Sequence, residues 1–162
     1  GGKPGPADTV YLGCFRKSVI QDLGLYSPKW VRGQDWELNL RIRQAGHTVW
    51  FDPGLKVSYF PRNSIKALAK QFFQTGVWRG NLTRENPLDS SFRYWIPPLL
   101  VVASLFLVPF WIYLGAVIVV SFAISELELR SKIWLLAVLP TMHFCWGVGF
   151  WFGLVQDRQQ AR

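Results

Sequence analysis

The chain has 162 residues, of which 50% are hydrophobic, 16% aromatic and only 17% charged, and its net charge is +8. A globular domain usually carries about 25% charged residues; this mixture excludes a disordered chain, and the missing charge points to a segment built for an apolar solvent. Residues 1–94 hold 14 Lys and Arg against 7 Asp and Glu, whereas residues 95–162 hold 4 against 3, so the basic charge belongs almost entirely to the first part.

Gly1 to Pro6 is rich in Gly and Pro, has no apolar core of a signal peptide and no initiator Met, the sole Met being Met142. It reads as a loop within a longer protein. Cys14 and Cys145 lie far apart without a CxxC or Cys/His spacing, which suggests neither a disulfide framework nor a zinc site; both read as core thiols. Val10 to Phe15 is rich in strand-forming residues, and Leu23 to Lys29 is a Gly/Pro-punctuated loop leading to Arg32, Gly33, Gln34 and Asp35.

Trp36, Leu38, Leu40 and Ile42 alternate with polar residues as in a strand, but Leu38, Ile42 and Ala45 also fit a helical stripe. The end signals favour a helix over Trp36 to Ala45, with Asp35 as N-cap and Gly46 as the left-handed residue beyond the end. His47 to Phe51 and Leu55 to Tyr59 are expected as strands around the turn Asp52-Pro53-Gly54. Between Pro53 and Arg84 stand Lys56, Arg62, Lys66, Lys70, Arg79 and Arg84 with no acid among them. Asn63 or Ser64 can cap a helix with Ile65, Leu68, Phe72 and Trp78 on one side and Lys66 and Lys70 on another. Such a helix suits a membrane surface, its cations toward anionic headgroups; a solvated face of an ordinary packing helix is the plain alternative.

From Ile96 to Ile124 runs a stretch of 29 residues without a charge, and Ile133 to Val155 adds 23 more, interrupted only by Pro140 and His143. Each is long enough to cross a hydrocarbon core of roughly 30 Å, so a transmembrane hairpin is expected, with a shallow break at Pro109 as the alternative for the first run. Arg79, Arg84 and Arg93 before the first run and Arg158 and Arg162 after the second outnumber Arg130 and Lys132 in the connection, which places both ends in the cytoplasm. Trp95, Trp111, Trp134 and Trp151 suit either membrane interfaces or packing between helices. Two spans also argue against nucleic acid as a partner of the basic segment.

Nucleophilic-triad, P-loop, dinucleotide and HExxH patterns are absent from the sequence. The cluster that carries chemistry is Gln34-Asp35-Trp36-Glu37-Leu38-Asn39 with Arg41-Ile42-Arg43-Gln44-Ala45-Gly46, although spacing alone makes Asp35 an ordinary helix cap. Together with Phe51-Asp52-Pro53, Tyr59-Phe60-Pro61-Arg62, Gln71-Phe72-Phe73, Gly76, Trp78-Arg79 and Met142 to Phe150, this order resembles the C-terminal, acceptor-side half of family-2 glycosyltransferases. The likeness is to the membrane branch of succinoglycan-type exopolysaccharide glucosyltransferases, and it covers nearly the whole chain.

The resemblance implies an α/β fold class, the C-terminal part of a GT-A nucleotide-sugar transferase domain, followed by a transmembrane α-helical hairpin. Its divisions are residues 1–62 (acceptor-side domain part), 63–94 (basic interfacial helix and linker) and 95–162 (membrane hairpin). It implies inverting, hexosyltransferase-like activity with Asp35 as catalytic base, the family's Glu-Asp pair standing here as Gln34-Asp35. Gln34, Trp36, Gln71, Gln74, Trp78 and Arg79 are implied for acceptor or substrate binding, and Arg32, Arg41 and Arg43 are further candidates for diphosphate. Val77 stands where processive relatives carry Arg, which puts processivity in doubt. Lys66, Lys70 and Arg84 are the membrane-surface candidates.

The implied partners are a nucleotide-sugar donor, a glycan or polyprenyl-linked acceptor, and membrane lipid, with the catalytic part on the cytoplasmic side of the cell inner membrane. A divalent cation, Mg or Mn, is implied for the full-length enzyme through an Asp-x-Asp motif that these 162 residues lack. The competing expectation is a non-catalytic two-span anchor that binds anionic lipid or a partner subunit.

Overall fold

The computed structural model describes residues 2–10, 13–30, 33–89, 91–124 and 126–156. They are mostly helical, and the chain divides into two units, Gly1–Phe60 and Pro61–Arg162. The first unit contains β1 (Gly5–Pro6), α1 (Lys17–Asp22), α2 (Gln34–Gln44) and β2 (Trp50–Phe51). The second contains α3 (Ile65–Glu85), two 3₁₀ turns (Pro87–Asp89 and Phe92–Trp95), α4 (Ile96–Ala103), α5 (Leu107–Ala123) and α6 (Leu129–Val155).

The first unit is organised by α2. Leu38 and Ile42 share one of its stripes and form a small core with Val49, against which Val10, Phe15, Val19, Ile20 and Leu23 pack. The end of the expected helix is as read: Gly46 takes φ 83° just past Ala45. The start is not. Gly33, at φ 71°, is the N-cap, so Asp35 lies inside the first turn rather than ahead of it. A glycine there lets the chain enter from a left-handed conformation that a side chain disfavours, and it leaves the Asp35 carboxylate free of capping duty.

The strand expectations need correction. β1 and β2 make a two-stranded antiparallel sheet with Gly5 opposite Phe51 and Pro6 opposite Trp50. The turn Asp52-Pro53-Gly54 forms, with the Gly54 N–H donating to Asp52 Oδ1 at 2.8 Å, but Leu55 to Tyr59 does not return as a strand. Leu55, Val57, Tyr59 and Phe60 are all exposed, so this segment has no face to bury and no sheet to join. Among the described residues of Val10 to Phe15 no strand forms either, and the helix α1 that follows was not foreseen. Cys14 is exposed, not a core thiol.

The second unit is held by α3 and α6. Ser64 caps α3, its Oγ accepting from the Ala67 N–H at 3.2 Å. The packed face of α3 adjoins Ile65 and Phe72 of the side expected from hydrophobicity, with Trp78 turned away from it. It is a glycine face: a Cβ added at Gly76 or Gly80 would overlap the backbone of Trp146 or Phe150, and one added at Gly149 or Gly153 would overlap the backbone of Phe73 or Val77. Glycines four apart on both helices let two backbones touch, the small-residue solution used where apolar burial alone cannot drive helices together. The pairs Phe73 with Gly149, Val77 with Gly153 and Arg84 with Gln156 advance together, so the two helices run in the same direction.

The uncharged run 96–124 is two helices instead of the expected single span, broken at Ser104 to Phe106. Pro109 explains the break. It has no N–H for the Leu105 carbonyl, and in a continuous helix its ring would clash with that carbonyl. The chain restarts at Leu107, so that Pro109 falls in a first turn, where a missing N–H costs little. α6, 27 residues and so about 40 Å long, is long and apolar enough to cross a membrane, whereas α5 has 17 residues and reaches about 25 Å. α5 runs back along α6, with Tyr113 Oη 3.0 Å from His143 Nδ1 and Lys132 Nζ donating to the Phe122 carbonyl at 3.5 Å.

The four tryptophans divide evenly. Trp95 packs edge-on against Phe150 and Trp151, and Trp151 Nε1 donates to the Pro98 carbonyl at 2.8 Å, while Trp111 and Trp134 are exposed.

Candidate functional site

The first turn of α2 presents Gln34, Asp35 and Trp36. Asp35 and Glu37 stand at the positive end of the helix dipole, and Arg41 and Arg43 at the negative end, the arrangement that favours each charge. Gln34 is exposed, whereas Asp35 and Trp36 are half-buried. Asp35 continues the stripe of Leu38, Asn39 and Ile42, so its carboxylate is held at the rim of the core. Tyr26 Oη donates to Asp35 Oδ1 at 3.3 Å from the preceding loop.

Glu37, the other acid of the motif, is turned about 200° around the helix from Asp35 and is committed elsewhere. It accepts from Arg41 Nε at 2.6 Å and Nη2 at 2.9 Å, and Arg41 in turn donates to the carbonyls of Leu23 and Leu25. The Glu37–Arg41 pair is therefore a clamp on the Leu23–Leu25 loop, and it withdraws Arg41 from the list of diphosphate candidates. Arg32 lies outside the described residues.

Sequence reasoning missed Tyr26 and Asn39. Asn39 is fully buried and donates from Nδ2 to Thr9 Oγ1 at 3.0 Å and to the Val10 carbonyl at 3.4 Å, tying the segment before α1 to α2. A cavity of about 680 Å³ opens on this side, its wall including Val10, Phe15, Asn39, Ile42 and Val49. An Asn flanked by Leu on both sides in a helical stripe was the available signal for a buried polar staple.

The remaining candidates stand on α3, in the second unit. Gln71, Gln74 and Trp78 fall on one stripe, three and four residues apart, roughly opposite the glycine face. All three are half-buried, and Gln71 Oε1 accepts from Arg62 Nε at 3.1 Å. Arg79 points off this stripe and is buried, its guanidinium 3.7 Å over the ring of Tyr94. Arg84 Nη1 donates to the Gln156 carbonyl at 2.8 Å, at the end of α6. The basic residues of α3 thus differ in use: Lys66 and Lys70 are exposed, while Arg79 and Arg84 are built into the helix packing.

Among the described residues no three His, Cys, Asp or Glu side chains converge on a point where a cation could sit. The described residues do not fit a divalent ion.

Tyr26 ionises above the ordinary phenol value because burial disfavours the phenolate, with the Asp35 charge and its hydrogen bond adding to that. The raised value means that stability is lost as pH climbs through a range above the ordinary value of about 10, because the unfolded chain gives up this proton first. Asp35→Asn removes the Asp35 charge, and the Tyr26 midpoint is expected to fall part of the way back; ultraviolet titration of the phenolate band, with Tyr26→Phe as blank, measures it.

No protein-family profile matches the chain, and no solved structure matches it. Two curated proteins do. One is the dolichyl N-acetyl-alpha-D-glucosaminyl phosphate 3-beta-D-2,3-diacetamido-2,3-dideoxy-beta-D-glucuronosyltransferase of Methanococcus voltae, 24% identical over 157 residues that cover 93% of this chain and 48% of that protein. The other is the succinoglycan biosynthesis protein ExoA of Rhizobium meliloti (strain 1021), 23% identical over 159 residues that cover 91% of this chain and 48% of that protein. The chain spans about half the length of the curated relatives it matches. Over nearly all its residues it is similar to a glucuronosyltransferase and to a succinoglycan biosynthesis protein, consistent with the C-terminal half of a family-2 glycosyltransferase.

Proposed function

We propose that the chain is the acceptor-side part of a membrane-attached inverting glycosyltransferase that moves a sugar from a nucleotide-sugar to a glycan or polyprenyl-linked acceptor. The observation that carries this reading is Asp35: a half-buried carboxylate in the first turn of α2, held by Tyr26 and not consumed as a cap, in a chain similar to a glucuronosyltransferase. In a single displacement the acceptor oxygen attacks the anomeric carbon, the bond from that carbon to the nucleotide's phosphate breaks, and the nucleotide departs with the electron pair. Asp35 takes the proton from the acceptor hydroxyl as it attacks, the role of a positioned general base. Trp36 offers the acceptor sugar an apolar face; the Gln71, Gln74 and Trp78 stripe of the second unit, taken by itself, presents amides and a ring of the kind that bind carbohydrate. The divalent cation belongs to the part of the full-length enzyme that this chain does not include.

The membrane reading assigns α6 as a span and α4 with α5 as its returning partner, both ends of the chain in the cytoplasm and the cell inner membrane as the site. The long apolar α6 and the exposed apolar side chains of α5 support it. The outer arginines Arg158 and Arg162 lie outside the described residues. Lys66 and Lys70, exposed on α3, stand seven and three residues before Phe73, which meets Gly149, and so lie level with the middle of α6 rather than at a headgroup surface. Arg84→Gln is expected to loosen the end of α6.

The experiment for the whole reading is a transfer assay on membranes that contain the full-length protein, with labelled nucleotide-sugars offered one at a time. Incorporation into a glycan or lipid-linked product supports it, and failure with every donor leaves the anchor as the better account.

A further inference from the structure

Resting on the reading of Asp35 as the base, we infer that Tyr26 is a positioning residue for that carboxylate, delivered by a loop that the Glu37–Arg41 pair locks in place. The phenol donates to Oδ1 at 3.3 Å, which fixes one carboxylate oxygen and leaves Oδ2 as the oxygen that meets an acceptor hydroxyl.

What makes Tyr26 more than a neighbour is the construction behind it. Gly24 and Leu25 are consecutive left-handed residues, φ 80° and 60°, and a leucine adopts that conformation only where the surroundings impose it. They are imposed here from two sides. The Gly24 N–H donates to the Gln21 carbonyl at 3.0 Å and the Leu25 N–H to the Ile20 carbonyl at 2.8 Å, which continues α1 into the turn. From the other side one guanidinium, Arg41, donates to the carbonyls of both Leu23 and Leu25, and Glu37 fixes that guanidinium through two bonds. Arg41 is two turns along the helix that carries Asp35, so the loop and the carboxylate are referenced to the same rigid rod. With an ordinary value of about 10 the phenol is protonated at neutral pH, as a donor must be, and burial and the Asp35 charge raise that value further.

The test is steady-state kinetics of the full-length enzyme in membranes with four variants: Asp35→Asn, Tyr26→Phe, Arg41→Lys and the Tyr26→Phe/Arg41→Lys double variant. Tyr26→Phe is expected to lower kcat on the order of tenfold, the loss of one hydrogen bond to a charged group, with donor KM and melting temperature unchanged. Arg41→Lys, which keeps the charge but loses the fork, is expected to lower kcat in the same way. The double variant should lose no more than the worse single one, because Arg41 acts through Tyr26. Unchanged kcat in Tyr26→Phe beside an inactive Asp35→Asn overturns the inference and leaves the base standing. A raised donor KM with normal kcat in Tyr26→Phe also overturns it, by making Tyr26 a donor contact. An Asp35→Asn enzyme with normal turnover overturns the underlying reading itself. If Arg41→Lys fails to fold, the kcat and KM of Tyr26→Phe decide alone.

Discussion

Asp35→Asn in the full-length enzyme is expected to reduce sugar transfer by about 10² to 10⁴-fold, the usual contribution of a positioned general base, while nucleotide-sugar binding stays nearly normal. The amide keeps the shape of the side chain and can still meet the Tyr26 hydroxyl, so folding of α2 is spared. What it cannot do is accept the acceptor's proton. Because Gly33 is the N-cap, the change does not remove a cap either, so a loss of activity cannot be assigned to fraying of the helix start. Glu37→Gln serves as the internal comparison. It weakens the bond to Arg41 and so disturbs the loop, which predicts a loss of a few-fold in kcat, far below that of Asp35→Asn. Equal losses at the two positions, measured as turnover in the same membranes, would mean that the clamp and not the base limits the reaction.

The second large effect is structural. Gly149→Leu is expected to separate α3 from α6 and to leave the second unit unable to assemble, visible as loss of protein from the membrane fraction. Even Gly149→Ala places a Cβ onto the Phe73 carbonyl, a contact with backbone that no rotamer change relieves. Overpacking of this kind costs about 1–3 kcal/mol in a well-packed site, and the same sign is expected at Gly76, Gly80 and Gly153. Gly115, on α5, is the control: nothing lies near its would-be Cβ, and Gly115→Ala should be neutral or slightly stabilising. Thermal unfolding in detergent measures the difference, and similar melting temperatures for Gly149→Ala and Gly115→Ala would contradict the close helix contact.

The uneven legibility of these features in the sequence has physical causes. α2 could be read from the Leu38 and Ile42 stripe and the Gly46 stop, since both are local. Ser64 as the cap of α3 was readable for the same reason. The closeness of α3 to α6 was not, because a hydrophobic pattern weighs Ile65, Leu68, Phe72 and Trp78 above glycine, whereas the tightest contact is made by Gly76 and Gly80 through what they lack. Leu55 to Tyr59 alternates like a strand, but a strand exists only through its partner, and pattern alone does not supply one. At the site, Asp35 stood out through its motif, while Tyr26 lies nine residues earlier in an unremarkable loop and meets Asp35 only because Arg41 folds that loop back. Arg79 and Arg84 looked equivalent to Lys66 and Lys70 as charges, and only the tertiary contacts with Tyr94 and Gln156 separate them.

The central claim, a single displacement at the anomeric carbon with Asp35 taking the acceptor's proton, is tested most directly by the anomeric configuration of the product. The full-length enzyme in membranes would be given a nucleotide-sugar of known configuration, and the transferred sugar read by NMR through its anomeric coupling constant. Inversion is expected, an alpha-linked donor giving a beta-linked product. Retention of the donor's configuration would contradict it.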